Sequence, residues 1–267
     1  MHKSRIRQTP QSTSVTRPRK NRTLRRAAFA ETGQPPFDRR RAAHYRTCGR
    51  IAPAVGSDRG SGAGSEYPAA VSNSLRNVQA LIIVDVQAAF VSGDEAVPEA
   101  AGLLVEVTGL LRRARETGAL IIQLQNDGPQ GAPDEPYTPG WELFLPAVER
   151  DGEYVIRKDT DDGFHQTELS SILAAHAVRH LAVCGVMSEM CVSATARSAL
   201  NLDYHVVLPH DSHATYDIPA VEGLADMVPH AMVSRVAEWA LGDQIDIIAH
   251  AADVRFEPLS QREPAPI

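Results

Sequence analysis

The sequence predicts an α/β protein: a three-layer, doubly wound fold in which a six-stranded parallel sheet lies between two layers of helices. From residue 79 onward, short apolar runs alternate with longer segments whose apolar residues recur at helical spacing. The short runs are apolar at nearly every position, as are parallel strands that helices cover on both faces. In such folds ligands bind beyond the carboxyl ends of the strands, so functional residues are expected just after strands.

The first three elements are a strand, a helix and a second strand. The run QALIIVDV at 79–86 is too continuously apolar to have a solvated face. The segment 99–117 carries apolar residues three and four positions apart, which places them on one helix face, and Gly118 ends this helix. The apolar run at 119–124 is predicted to be the second buried strand.

Three strand–helix pairs and a final strand complete the pattern, with right-handed crossovers between parallel strands. Ser188 is predicted to cap the helix that follows the fourth strand. The strands are predicted at 154–156, 180–186, 204–208 and 245–249, and the helices at 168–177, 188–202 and 219–241, the last of these mostly helical.

The 267-residue chain divides into two parts of opposite charge. Residues 1–75 carry 15 Lys and Arg against 4 Asp and Glu, whereas residues 76–267 carry 12 against 29. The first part is rich in Arg, Ser, Pro and Gly without sustained apolar periodicity, which predicts disorder. The predicted organisation is therefore a disordered Arg-rich tail at 1–75, a folded domain at 76–257 and a C-terminal tail at 258–267. The basic tail is either an RNA-binding or targeting arm, or a solvated segment without a role, including a leader that the native protein lacks.

The composition also excludes some classes of protein. No stretch approaches the roughly 18 consecutive apolar residues that a membrane span requires. Cys48, Cys184 and Cys191 have neither the number nor the spacing of a disulfide framework or a zinc site, which favours a reducing cytoplasm. We expect a small-molecule substrate as the partner, and neither a membrane nor a nucleic acid.

Three polar residues stand where strands end. Asp85 interrupts the first strand, where an isolated carboxylate is costly to bury unless it is paired. Lys158 follows the third strand and is the only lysine among the 12 basic residues of residues 76–267. Cys191 lies in the first turn of a predicted helix, whose N–H groups and dipole favour a thiolate. Cys184, inside its apolar strand, is interpreted as a core residue.

Such a trio suits acyl transfer from an amide. Cys191 would attack the carbonyl carbon, Asp85 would take the thiol proton and later activate water, and Lys158 would orient Asp85. The N–H groups of Met187 and Cys191 would form the oxyanion hole. Alternatives remain open: a buried ion pair that only stabilises the sheet, an idle scaffold whose basic tail binds nucleic acid, or a redox sensor built on Cys191.

Four sequence blocks, within residues 78–250, together resemble the isochorismatase-like cysteine hydrolase family. The blocks are Asp85-Val86-Gln87 with Phe90, Asn126-Asp127-Gly128 leading to Pro139-Gly140-Trp141-Glu142-Leu143, Lys158 six residues before Phe164, and the run from Gly185 to Ala196.

The resemblance implies that Asp85, Lys158 and Cys191 are the catalytic triad, that the Val186–Met187 peptide is cis, and that the protein forms dimers or tetramers. Metal-dependent members carry an Asp-x-His motif after the first block, where this chain has Gln87-Ala88-Ala89, so we expect no metal and no cofactor. Members that cleave a vinyl ether commonly lack the cysteine, so its presence favours cleavage of a C–N bond.

The acidic domain favours a cationic substrate. Within the family this leads us to expect hydrolysis of a cyclic amide, a lactam, in a polycationic antibiotic, which would confer resistance. Small amides and carbamoyl amino acids are the alternative substrates. Candidate pocket residues are Phe90, Asn126, Asp127, Trp141 and Phe164, and candidate ammonium-binding acids are Asp134, Glu135, Glu142, Asp159, Asp161 and Asp162.

A group of histidines near the fifth strand has a different interpretation. His205, His210 and His213, with Asp211, have a spacing that fits no tetrahedral zinc pattern. They are therefore assigned structural or surface roles.

Overall fold

The computed structural model describes residues 77–259. The predicted Arg-rich tail at 1–75 and residues 260–267 lie outside the described residues. In the described range, seven strands form one parallel sheet in the order β3-β2-β1-β4-β5-β7, and the two-residue β6 pairs with β4. The six predicted strands are confirmed and β6 is additional. The strands are β1 (Ala80–Val84), β2 (Leu120–Asn126), β3 (Glu153–Lys158), β4 (His180–Val186), β5 (His205–Pro209), β6 (His213–Ala214) and β7 (Asp246–Ile248).

The helices follow the predicted order, with one correction. The predicted helix at 219–241 is wrong over residues 219–229, because residues 218–228 form turns with antiparallel bridges at Ile218–Val228 and Val221–Ala225, and the helix begins only at His230. Residues 220–227 are all exposed, so no buried face stabilises a helix there. None of the helices within residues 77–259 is long and apolar enough to cross a bilayer. The helices are α1 (Ala88–Val91), α2 (Ala100–Thr117), α3 (Leu169–Ala175), α4 (Ser193–Asn201) and α5 (His230–Ala240).

Two apolar clusters, one on each face of the sheet, make the fold three-layered. Alternate residues of β1 point to opposite faces: Leu81 and Ile83 pack with the α2 side, whereas Ala80 and Ile82 pack with α3 and α4. Both faces of β1 are therefore buried, as the continuous apolar run predicts.

The strand register brings the functional ends of β1, β2, β3 and β4 to one edge of the sheet. Val84 of β1 is level with Leu124 of β2 and Gly185 of β4, and Asn126 of β2 is level with Lys158 of β3. Gly185 has φ 122°, and a Cβ there would overlap the carbonyl oxygen of Val84. The glycine thus permits the close approach of β4 to β1 just before the Cys191 segment.

One residue of the predicted C-terminal tail, Leu259, contacts the folded domain. The N–H of Leu259 donates to the carbonyl of Gly118 at 3.0 Å, and the Leu259 side chain packs against the α3 and α4 side of the core.

Candidate active site

Asp85 occupies the turn that ends β1. Its φ of 50° lies in the left-handed region, which Asp tolerates better than most other residues, and its N–H donates to the carbonyl of Leu124 at 3.1 Å. The side chain is buried, and its Oδ2 accepts a hydrogen bond from Lys158 Nζ at 2.7 Å. The buried Asp85 carboxylate is therefore paired with a positive charge, as its position in an apolar strand predicted.

Lys158 ends β3 with a fully buried side chain, so it is not a surface lysine. A buried ammonium needs several acceptors, and this one has four within reach. They are Asp85 Oδ2 at 2.7 Å, Thr160 O at 3.1 Å, Asn126 Oδ1 at 3.2 Å and Cys191 Sγ at 3.5 Å.

Cys191 lies in a π-helical turn, Ser188–Val192, that precedes α4. The turn is irregular at Met190, with φ −106° and ψ −106°, and Met187 is its N-terminal boundary. The prediction that Ser188 caps a helix is wrong: its hydroxyl instead hydrogen-bonds His213 and Ser234 inside the domain. A regular helix from 188 to 202 is thus replaced by a tight turn followed by α4.

The Cys191 thiol lies between two carboxylates and the lysine. It is 6% exposed, it donates a hydrogen bond to Asp161 Oδ1 at 3.6 Å, and it accepts one from Lys158 Nζ at 3.5 Å. Burial and the Asp85 carboxylate raise the pKa of the Cys191 thiol, although Lys158 opposes this. The predicted helix-end stabilisation of a thiolate is therefore outweighed, and the resting group is a thiol that needs a base.

Asp85 has the properties of that base. Burial raises the pKa of Asp85 to about 6 against the opposing charge of Lys158. Burial alone would lower the pKa of Lys158, but Asp85 and Cys191 outweigh it and the net direction is upward. Within residues 77–259, Asp85 Oδ1 is buried without a hydrogen-bond partner, so one carboxylate oxygen is free to accept a proton.

Two of the predicted pocket residues, Asn126 and Asp127, differ in whether they contact the triad. Asn126 contacts Lys158 directly. Asp127 accepts bonds from Trp141 Nε1 at 2.8 Å and from the Arg157 guanidinium at 2.7 Å, and Arg157 also lies over the Trp141 ring. The charge of Asp127 is thus already neutralised by an arginine.

Sequence reasoning gave Gln87 no role, yet it holds the pocket loop to the sheet. Its buried amide donates to the carbonyls of Asn126 and Trp141 at 3.0 and 2.9 Å, and its Oε1 accepts from Asn126 N–H at 2.8 Å. The available signal was a second polar residue, after Asp85, at the end of an otherwise apolar run.

The two candidate phenylalanines are partly buried and pack on opposite faces of the sheet. Phe90 packs against the α2 side of the core, and Phe164 packs against the other side, 6.0 Å from the Tyr204 ring. The Val186–Met187 peptide is cis, as the resemblance implied. The oxyanion hole at Met187 and Cys191, and the pocket roles of both phenylalanines, stay predictions.

The acidic residues of the strand-end loops divide into two groups. Asp134 is buried and accepts from Asn126 Nδ2 at 2.6 Å, and Asp162 binds Phe164 N–H and the Ser198 hydroxyl, so both hold loops. Asp161 is exposed, and within residues 77–259 no Lys or Arg forms an ion pair with it. It is the acid that the fold brings to the nucleophile.

The fold, the strand-end site and the sequence together define the class of this protein. The Isochorismatase domain matches residues 79–239. The chain belongs to the isochorismatase family.

Two proteins of known name are similar to this chain in sequence. A streptothricin hydrolase from Streptomyces noursei is 62% identical over 179 residues, which cover 67% of this chain and 65% of that protein. A second streptothricin hydrolase from the same organism is 60% identical over 183 residues, covering 68% and 73%. The matched part is thus slightly less than two thirds of the first relative's length.

A solved structure shares the fold. The crystal structure of an isochorismatase from Pseudomonas putida KT2440 matches with a TM-score of 0.59 at 28% identity, covering 66% of this chain and 90% of that one.

Proposed function

We propose that the protein is a metal-independent cysteine amidohydrolase that uses Cys191, Asp85 and Lys158 as its catalytic triad. The observation that carries this proposal is the buried contact of Lys158 with both Asp85 and Cys191, beside Asp85 Oδ1, which has no hydrogen-bond partner within residues 77–259. An idle scaffold has no need to keep a costly buried ion pair beside a thiol.

The proposed reaction has two halves, each with one proton transfer through Asp85. Asp85 takes the Cys191 proton as Sγ attacks the amide carbonyl carbon, and the same proton then passes to the leaving nitrogen as the C–N bond breaks. Water then attacks the thioester and gives a proton to Asp85, which returns it to sulfur as the C–S bond breaks. Lys158 keeps Asp85 oriented, and the proposed N–H groups of Met187 and Cys191 stabilise the oxyanion.

We propose the streptolidine lactam of streptothricin as the scissile amide, with antibiotic resistance as the consequence. Similarity at 62% and 60% to two proteins named streptothricin hydrolase supports this choice. The exposed Asp161 carboxylate beside the nucleophile supports a cationic substrate. Hydrolysis of small amides or carbamoyl amino acids is the alternative, because the triad chemistry would be the same.

The first experiment incubates the purified chain with streptothricin and measures product mass. Opening a lactam adds one water without loss of a fragment. Cys191→Ala should retain less than about one per cent of the rate, because the nucleophile is gone. Cys184→Ala is the matched control, since Cys184 is a buried free thiol that packs in the apolar core and donates to the carbonyl of Ile82 in β1.

Other outcomes would change the proposal. Ammonia release from a small amide, with streptothricin intact, would show that small amides and not the antibiotic are the substrates. Turnover that survives Cys191→Ala would overturn the nucleophile assignment.

We also propose that the protein works in the cytoplasm. Cys184 and Cys191 are both free thiols, which a reducing compartment preserves.

A further inference from the structure

A second cluster of reactive side chains lies outside the triad. His210 follows β5, His213 begins β6 and Glu238 belongs to α5. One oxygen of Glu238, Oε1, faces both imidazoles: it is 2.6 Å from His210 Nδ1 and 3.1 Å from His213 Nε2. The three ligand-type atoms all lie within 4.8 Å of one another.

These distances suit a single small cation. Zinc binds imidazole nitrogen and carboxylate oxygen at about 2.1 Å, so two ligands of a tetrahedral ion are about 3.4 Å apart. The His210–Glu238 and His213–Glu238 pairs need to open by less than about 1 Å to reach that spacing. A metal ion would take the place of the imidazole protons that now point at the carboxylate.

Outer contacts orient the two buried ligands. The Nδ1 of His213 hydrogen-bonds the Ser188 hydroxyl at 2.8 Å, which leaves Nε2 directed at Glu238. Arg235 bonds the other oxygen of Glu238, Oε2, at 3.1 Å, which leaves Oε1 for the cluster. Metal sites are commonly held in this way by a second set of hydrogen bonds.

The cluster also opens to a pocket. His210 and His213 line a cavity of about 390 Å³, whose wall includes the acidic residues Glu99, Glu106 and Asp211. Three protein ligands and an open fourth position are typical of zinc sites that bind water or a further ligand, and the acidic wall favours a cation. None of the triad residues lines this cavity.

We propose that His210, His213 and Glu238 form a binding site for Zn²⁺, with the fourth position facing the cavity. The site is separate from the position after β1 where metal-dependent relatives would carry Asp-x-His and this chain has Gln87-Ala88-Ala89. It connects to the nucleophile turn, because Ser188 begins the turn that carries Cys191.

The test measures zinc binding by the full chain carrying Cys191→Ala, so that the triad thiol does not contribute. Competition with a chromogenic chelator gives the number of zinc ions per chain, and Co²⁺ substitution gives a tetrahedral visible spectrum. We expect His210→Ala and Glu238→Gln each to lose one equivalent of zinc, or to bind it about 100-fold more weakly, and to lose the cobalt spectrum.

Two controls keep the result specific. His250→Ala removes another exposed histidine and should keep the zinc and the cobalt spectrum. His210 is half exposed, so its substitution should leave the fold intact even if Glu238→Gln does not. The proposal is overturned if the chain binds no zinc in competition with the chelator, or if His210→Ala binds it as tightly as the parent.

Discussion

At the scale of single residues, Lys158 shows why a lysine persists in a chain with 24 Arg and 3 Lys. Its side chain is fully buried, and one nitrogen reaches Asp85, Asn126, Thr160 and Cys191. A planar guanidinium distributes its donors over a wider fork and could not converge on these acceptors. The lysine therefore couples the base to the thiol.

The pKa of Asp85 predicts the acid limb of the pH profile. Burial raises it to about 6, so Asp85 is protonated below that pH and cannot take the thiol proton. We expect kcat/KM to fall as the pH drops through about 6, and measurement across the acidic range checks this. Asp159→Asn, a change in an exposed neighbour, should keep the same profile. A rate that stays constant down to about pH 5 would contradict the assignment of Asp85 as the base.

Asp161 is predicted to select for charge. Asp161→Asn should lower kcat/KM for a cationic amide about 10-fold and spare a neutral one, because one attractive charge is lost. Asp161 also contributes to raising the pKa of Cys191, so alkylation of the thiol by neutral iodoacetamide should become faster in the variant. Asp159→Asn makes the same change in net charge away from the thiol contact and is the control. Equal losses on cationic and neutral amides would reject a role in selectivity.

At the scale of elements, the end of β4 and the following π-helical turn determine where the nucleophile lies. Gly185 lets β4 approach β1, and the turn Ser188–Val192 then holds Cys191 beside Lys158. An ordinary helix beginning at Ser188 would carry residues 188–192 on a different path. The local irregularity is therefore what brings the thiol to the pair formed by β1 and β3.

Gly185→Ala tests this packing. The added Cβ would meet the Val84 carbonyl, and the positive φ is unfavourable for alanine, so we expect a loss of about 3 kcal/mol in the free energy of unfolding. Urea denaturation measures it. Gly223→Ala has a similarly positive φ of 75° but no atom within 4 Å of its Cβ, and should cost about 1 kcal/mol. Similar losses for both variants would show that the close approach of β4 to β1 contributes little.

At the scale of the whole molecule, the outer side of α5 exposes several large apolar side chains. Met232, Val236 and Trp239 on the outer side of α5 are 58%, 63% and 77% exposed. Soluble monomers rarely expose a contiguous apolar stripe of this kind. We propose that a second copy of this chain covers it, in line with the expected dimer or tetramer.

Trp239→Glu should shift the protein towards monomer, because it places a charge in the centre of the proposed contact. Sedimentation equilibrium gives the molar mass. Val105→Glu changes another exposed apolar residue, on α2, and should leave the assembly intact. An unchanged mass for Trp239→Glu, or a wild-type monomer, would contradict this interface.

The parts that the sequence predicted well depend on local patterns. Continuous apolar runs identified six strands, and Gly118 ends α2 with φ 78°. The prediction of a helix over residues 219–229 was wrong, because this segment is exposed and has no core to pack against. The prediction that Ser188 caps a helix was wrong, because its hydroxyl hydrogen-bonds His213 of β6 and Ser234 of α5, which are distant in sequence.

The α/β fold, the order of the strands along the chain and the three polar residues at the strand ends could therefore all be predicted from the sequence. These follow from apolar periodicity and from the cost of burying charge, which are read along the chain. Only the tertiary structure decided that Asp161 reaches Cys191, 30 residues away, and that Glu238 joins His213, 25 residues away. It also placed Cys191 where burial and the Asp85 carboxylate raise the pKa of the thiol. Contacts and pKa values of this kind arise from side chains that distant segments bring together in a buried environment, and no local pattern encodes that proximity.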